Sequence, residues 1–175
     1  MHFHSASRIA TFALALAAGP ALAAATDVTP QSFVVTHRAE TSASPAAVFA
    51  AFGQVSRWWG SQHTYSGKAE NLSLEMRAGG CWCEQWDGGS VQHMRVLFVG
   101  RDRMVRLEGG LGPLQDRAVT AVMTLAIAPG EGKTVVTLTY KVRAPDANLD
   151  KVAAPVDAVL GEGFNRLMEL SGKAS

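Results

Sequence analysis

Two short runs hold the residues best suited to chemistry. Cys81-Trp82-Cys83-Glu84-Gln85-Trp86 and Val91-Gln92-His93-Met94-Arg95-Val96 flank Asp87-Gly88-Gly89-Ser90, a turn-forming tetrad between strand-like segments. Whether the loop is Gly88-Gly89 or Asp87 to Ser90, the expected pairing sets Trp86 opposite Val91, Glu84 opposite His93 and Trp82 opposite Arg95. Trp82, Glu84, Trp86, His93 and Arg95 then share one face, and Cys81, Cys83, Gln85, Met94 and Val96 the other. A glutamate and a histidine walled by tryptophans can work as general acid and base. Apolar walls raise the carboxylate's pKa, and an adjacent histidine opposes that shift. On the solvent side the same pair is only a cross-strand ion pair, with Arg95 over Trp82 as a cation–π contact. Both faces mix apolar and polar groups, so the pattern leaves both orientations open.

Met1 to Ala25 has the form of a leader. His2, His4 and Arg8 precede an apolar run from Ile9 to Ala18, and Gly19-Pro20-Ala21-Leu22-Ala23 follows. A charged start, a short apolar core and a small-residue site make a signal peptide, cleaved after Ala23 or Ala25. The run is too short to span a bilayer. The expectation is an exported protein, periplasmic or secreted, with a single domain over residues 26–175. Arg8 is the only ionisable Lys, Arg, Asp or Glu in the leader, so the remainder carries 15 Lys+Arg and 15 Asp+Glu. A neutral chain lacks the footprint for nucleic acid or an anionic membrane. No membrane span is expected.

In an exported chain, two cysteines suggest a disulfide. Residues two apart in a strand have Cα atoms about 6.5–7 Å apart, at the edge of disulfide geometry. A Cys81–Cys83 bond therefore needs strain or a bulge. Paired thiolates also suit soft metal ions. However, only His37, His63 and His93 remain beside them, none at ligand spacing, so no metal and no cofactor is expected. The chain has no G-x-S-x-G, no H-E-x-x-H, no phosphate-cradling loop and no dinucleotide fingerprint.

The elements that must position these residues end in one long helix. Val152 to Leu170 places Val156, Val159, Leu160, Phe164, Leu167 and Met168 at helical spacing, with Leu170 closing the run. Asp150 suits the N-cap, and Pro155 a first turn or a kink. Gly161 and Gly163 each cost about 1 kcal/mol against alanine in a helix interior. They imply either close backbone packing or room for a ligand. Upstream, Gln31 to Glu40 alternates as a strand. Ser44-Pro45 opens a helix that stops at Gly53, and Val55 to Trp59 forms a second helical piece. Strands follow at Glu70–Met76, Cys81–Trp86, Val91–Val99, Arg103–Glu108, Ala118–Ala128 and Thr134–Val142. A sheet of about seven strands with one long helix is an α+β architecture, and that helix must supply the surface the sheet packs on.

Ser44-Pro45, Val48-Phe49, Trp58-Trp59 and Gly79-Gly80-x-Trp82, in this order and with this last helix, resemble the START-like, helix-grip superfamily. The chain is similar to its polyketide-cyclase-like branch and to homologues of the heat-shock-protein ATPase activators. The resemblance implies a curved antiparallel sheet around the last helix, with ligands in the cleft between them. It also favours the Trp82 face as the inward one. The family hosts carriers, receptors, cyclases and co-chaperone-like proteins, so fold does not fix function.

Three functions follow. The first is non-catalytic binding or transport of a small hydrophobic molecule. Trp82, Trp86, Met94, Leu111, Leu114 and Phe164 would be walls, and Glu84, His93 and Gln115 anchors. The second is a cyclase or dehydratase using Glu84 and His93. The third is an interaction module working through the Gly109–Gln115 loop, whose Leu111 and Leu114 look exposed, although a tight turn with both leucines buried fits its composition equally well. His63 and Tyr65 are further candidates at the mouth of the cleft. Oligomeric state is left open.

Overall fold

The computed structural model describes residues 25–145 and 148–173; the proposed leader, apart from Ala25, lies outside them. Its elements are strands β1 (Thr26–Thr29) and β2 (Ser32–Thr41), helices α1 (Pro45–Gly53) and α2 (Val55–Trp58), and strands β3 (Leu72–Leu74), β4 (Cys81–Trp86), β5 (Gly89–Gly100), β6 (Met104–Glu108), β7 (Thr120–Pro129) and β8 (Thr134–Arg143). Helix α3 (Asp150–Gly172) closes the chain. The strands form one antiparallel sheet in the order β1-β2-β8-β7-β6-β5-β4-β3. This is the expected α+β helix-grip arrangement, with β1 added at the edge beside β2.

Local chemistry accounts for most boundaries. Ser44 accepts a hydrogen bond from the Ala47 amide at 3.2 Å and Pro45 is the first residue of α1, so the expected cap forms. Alternation along β2 buries Phe33 and Val35. Strand β7 starts two residues late because Ala118 has a left-handed φ of 49°. Asp150 is the first helical residue of α3 rather than its cap, and Pro155 sits in the second turn without ending the helix. Ala153, Val156, Leu160, Phe164 and Leu167 are buried along one stripe of α3. Each large side chain among them contributes roughly 1.5–3 kcal/mol.

The two helix glycines serve packing. A Cβ on Gly163 would lie 3.3 Å from the Trp59 ring and 3.4 Å from that of Trp58, and one on Gly161 would lie 2.9 Å from the His37 imidazole. Bare backbone lets these rings sit against the helix, so neither glycine leaves room for a ligand.

The hairpin departs from its expected register. Trp86 pairs with Gly89, and Asp87-Gly88 alone form the turn, Gly88 supplying the left-handed φ of 84° at its second corner. Glu84 therefore faces Val91, not His93. The register then shifts: Cys83 pairs with Gln92 but Trp82 with Met94, leaving His93 as an extra residue in β5. This bulge turns two consecutive residues, His93 and Met94, inward. Beyond it the alternation inverts, so Val96 is buried and Arg95 lies outside, bonded to Glu108 through Nε at 2.9 Å. The expected common face of Trp82, Glu84 and His93 survives through the bulge. Arg95 leaves that face, Met94 and Val96 join it, and no Arg95–Trp82 contact forms.

Opposite the bulge, Cys81 and Cys83 are joined in a disulfide with Cα atoms 5.3 Å apart. That is more than 1 Å below the spacing of a regular strand. The cross-link needs the locally contracted backbone that β4 has at this point.

Candidate functional site

Three indoles fill the space where the family resemblance places a cavity. Trp58 and Trp59 close α2 and meet Trp82 of β4 edge to face, with ring centroids 5.6 and 5.1 Å from that of Trp82. Phe164 and Leu167 of α3 are buried, and Gly163, just before them in the helix, lies against the Trp58 and Trp59 rings. Helix and sheet are therefore packed together here without an intervening cleft.

The loop after α2 is fixed by Glu84. Its carboxylate accepts the Ser66 amide at 2.5 Å, the Tyr65 amide at 3.1 Å and His93 Nε2 at 3.0 Å. Burial of Glu84 acts to raise its pKa, but the Ser66, Tyr65 and His93 bonds together hold it below the ordinary carboxylate value. Burial pushes the His93 pKa down, against the pull of Glu84. The pair is thus a carboxylate and a neutral imidazole near neutral pH, with Nε2–H donating. With 0 % exposure and both oxygens engaged, Glu84 is a staple for the loop and has no free lone pair facing solvent.

From this anchor the Tyr65 side chain reaches across to a second loop. Its hydroxyl lies 3.3 Å from the Gly112 carbonyl and 3.2 Å from Gln115 Oε1, while Gln115 Nε2 donates to the Gln92 carbonyl at 3.0 Å. The second loop is held from below by Tyr140. That buried hydroxyl donates to the Gly109 carbonyl at 2.9 Å and accepts the Leu111 amide at 3.2 Å, and burial raises its pKa. Gly109 is required here: a Cβ would stand 2.5 Å from the His93 carbonyl, and its φ is 146°. Leu111 and Leu114 point inward and are buried. The Gly109–Gln115 loop is therefore a packed turn, and its leucines are not an exposed contact surface.

Between these two loops and the first half of α3 lies an open cleft of about 640 Å³. Pro155, Val156, Val159 and Leu160 form its helical wall, and Trp59 and Leu111 also line it. No strand residue reaches it, so the sheet contributes nothing to its lining. Its rim carries a second histidine–glutamate pair. His63 Nε2 is 2.9 Å from Glu162 Oε2, Gln62 donates to Oε1 at 2.7 Å, and Arg166 also bonds Oε1. The His63 bond, aided by Arg166 and Gln62, holds the Glu162 pKa low.

The sequence candidates therefore separate. Leu111 and Gln115 line the cleft, as do His63 and Tyr65. Trp82, Met94, Leu114 and Phe164 are core. Trp86 lies over Gly89 at the hairpin tip, away from the cleft. His93, Met94, Leu114 and Gln115 border a smaller hollow of about 340 Å³ beside Gly109. A cleft walled by the last helix was expected, but Pro155, Val156, Val159 and Leu160 as its lining, and Glu162 on its rim, were not anticipated. The spacing that put Val156, Val159 and Leu160 on one stripe carried no sign that its first turns stay uncovered. Among the described residues, no three His, Cys, Asp or Glu side chains gather closely enough to hold a metal ion, and no helix is long and apolar enough to cross a membrane.

No family model matches the chain, and no curated protein matches it. Solved structures do. Protein MLL2253 from Mesorhizobium loti is 18 % identical over 81 % of this chain and 98 % of its own, with a TM-score of 0.60. A protein from Arthrobacter aurescens, solved by NMR, is 17 % identical over 87 % of this chain and 92 % of its own, with a TM-score of 0.59. The Aha1 dimer from Colwellia psychrerythraea is 15 % identical over 80 % of this chain and 98 % of its own, with a TM-score of 0.53. At these identities the likeness is one of fold, and the fold shared with them is the helix-grip one.

Proposed function

We propose that the protein is a non-catalytic binder of a small hydrophobic molecule, held in the cleft between α3 and the two loops. The carrying observation is the cleft itself: about 640 Å³, within the size range of small-molecule sites and mostly apolar in lining. Its loops are tied in place by Glu84 and Tyr140, so little ordering is needed on binding. The site is displaced from the sheet–helix interface that the START-like resemblance implies, because Trp58, Trp59 and Trp82 occupy that space. The same resemblance, with the element order and the solved neighbours, supports membership of that superfamily; its polyketide-cyclase-like and ATPase-activator-like branches remain equal candidates.

The test uses N-phenyl-1-naphthylamine, whose fluorescence rises in apolar sites. Wild type should bind it saturably. Val159→Trp, a half-buried wall position, should abolish binding with an unchanged melting temperature. Undiminished binding by that variant would place the probe elsewhere and defeat the reading. Export to an oxidising compartment is part of the proposal and is supported by the Cys81–Cys83 disulfide. A periplasmic fraction should yield protein beginning at Ala24 or Thr26, and a retained Met1 would refute it.

A further inference from the structure

The polar groups on the cleft are unequal in a way that constrains its occupant; the argument rests on the cleft being the binding site. Most side-chain donors on the lining are already committed. The Trp59 indole donates to the His63 carbonyl at 3.0 Å and the Thr64 hydroxyl to the Ser61 carbonyl at 2.7 Å. The Tyr65 hydroxyl is spent on Gln115 or Gly112. Gln62 and Gln115 each have an amide N–H engaged, on Glu162 and Gln92, which leaves one further N–H on each.

Acceptors are what remain. Glu162 is a carboxylate, so in the neutral imidazole of His63 the hydrogen between them sits on Nε2, and Nδ1 is the lone pair. His63 is about a quarter exposed, and no group among the described residues bonds Nδ1. Asp116 also lines the cleft without an ion-pair partner among the described residues. No lysine or arginine lines it, and Arg166 beside it is held by Glu162. A carboxylate or phosphate would meet acceptors and a negative charge. A ketone would find at most a spare amide N–H. Along α3 the apolar wall of Val156, Val159 and Leu160 runs directly into Glu162 and so to His63.

We infer that the cleft selects a neutral apolar molecule ending in a hydroxyl, phenolic or alcoholic, which donates to His63 Nδ1 while its hydrocarbon body lies along α3. His63 is a binding residue in this scheme, and Glu162 a positioning residue that fixes its tautomer.

Calorimetric titration with three matched probes tests this: 2-naphthol, 2-methoxynaphthalene and 2-naphthoate. The naphthol should bind about five- to tenfold more tightly than its methyl ether, the worth of one hydrogen bond, and the naphthoate most weakly. His63→Phe should erase the naphthol preference while affinity for the ether stays within about twofold, since the apolar contacts remain. Glu162→Gln, a surface change that keeps the fold, should shrink the same preference, and serves if the first variant misfolds. Equal affinity for naphthol and ether, tightest binding of naphthoate, or a preference that survives in both variants overturns the inference and leaves the cleft reading intact. No binding of any probe, with no binding of N-phenyl-1-naphthylamine, removes both.

Discussion

The molecule contains the same pair twice, and the two copies do different things. Glu84 and His93 meet at 3.0 Å with 0 % and 5 % of their side chains exposed; Glu162 and His63 meet at 2.9 Å with 38 % and 27 % exposed. The contact chemistry is nearly identical. What differs is who else bonds the carboxylate. Glu84 holds two backbone amides of the Tyr65–Ser66 loop, so its charge is spent on shaping the cleft. Glu162 is bonded by side chains at the surface, and its histidine lines the cleft. Residue type nominates a functional pair, whereas burial and backbone partners decide whether it is a staple or a contact.

The largest expected effect is at the staple. Glu84→Ala strips the acceptor from two loop amides and from buried His93. Each buried donor left without a partner costs about 1–3 kcal/mol, and urea unfolding should show a loss of at least that order. A loss below about 1 kcal/mol would mean the loop is held by something else, and the contrast between the pairs would collapse.

Acid should strike the same place next. The His93 pKa is lowered from 6.5, so the unfolded chain takes up that proton before the folded one does. Stability from this group is therefore whole above about pH 6.5 and declines as pH falls. The Glu84 pKa is lowered from 4.5, so its contribution is present above that value and is lost on further acidification. The melting-temperature profile of His93→Gln should be flatter than wild type between pH 4.5 and 6.5, because the other histidines are common to both proteins. Parallel profiles would show that His93 carries no proton linkage.

Much of this contrast was legible in the sequence, but unevenly. The stripe on α3, the Ser44 cap and the succession of strands along the chain follow from local periodicity and caps, while the helix-grip arrangement was what the family resemblance implied. That Glu84 and His93 share a face was also readable, but for a register that does not occur: the turn is tighter by two residues, which preserves alternation, and the bulge at His93 inverts it only beyond that residue. A bulge is an energetic choice between strands, settled here with a contracted β4 and a disulfide on the other face, and single-strand alternation has no access to it. Met94 and Arg95 changed faces for that reason. The rim pair was half visible. His63 stood out as a loop residue, but Glu162 lies 99 residues away on the polar side of a helix, where a glutamate is unremarkable. Which of the apolar positions stay uncovered depends on how the two loops close, and no local pattern encodes that.

The disulfide offers an intermediate way to sharpen the comparison. Its two cysteines are only two residues apart, so the chain-entropy gain is near its minimum, roughly 1–2 kcal/mol. Cys81→Ser/Cys83→Ser should lower stability by about that amount and let β4 lengthen. Since Trp82 lies between the cysteines and opposite the bulge, the released strand should move His93. NMR would show this as shifts of the His93 and Tyr65 amides, with the Gln62 and His63 amides unmoved. Equal shifts at both pairs would indicate a general loosening instead of a local coupling.

The smallest effect belongs at the rim. Glu162→Gln keeps the shape, an acceptor oxygen and the link to Arg166 in weakened form. Exposed pairs are worth about 0.2–1 kcal/mol, and the value here should fall in the lower half because water can replace each lost bond. The same substitution at Glu84, Glu84→Gln, puts an NH2 group against a buried backbone N–H and should cost several-fold more. Both variants differ from wild type by one oxygen-to-nitrogen exchange. The ratio of their unfolding free-energy changes therefore isolates surroundings from chemistry. A ratio near one would mean the two pairs are interchangeable, and the division into staple and contact would have to be abandoned.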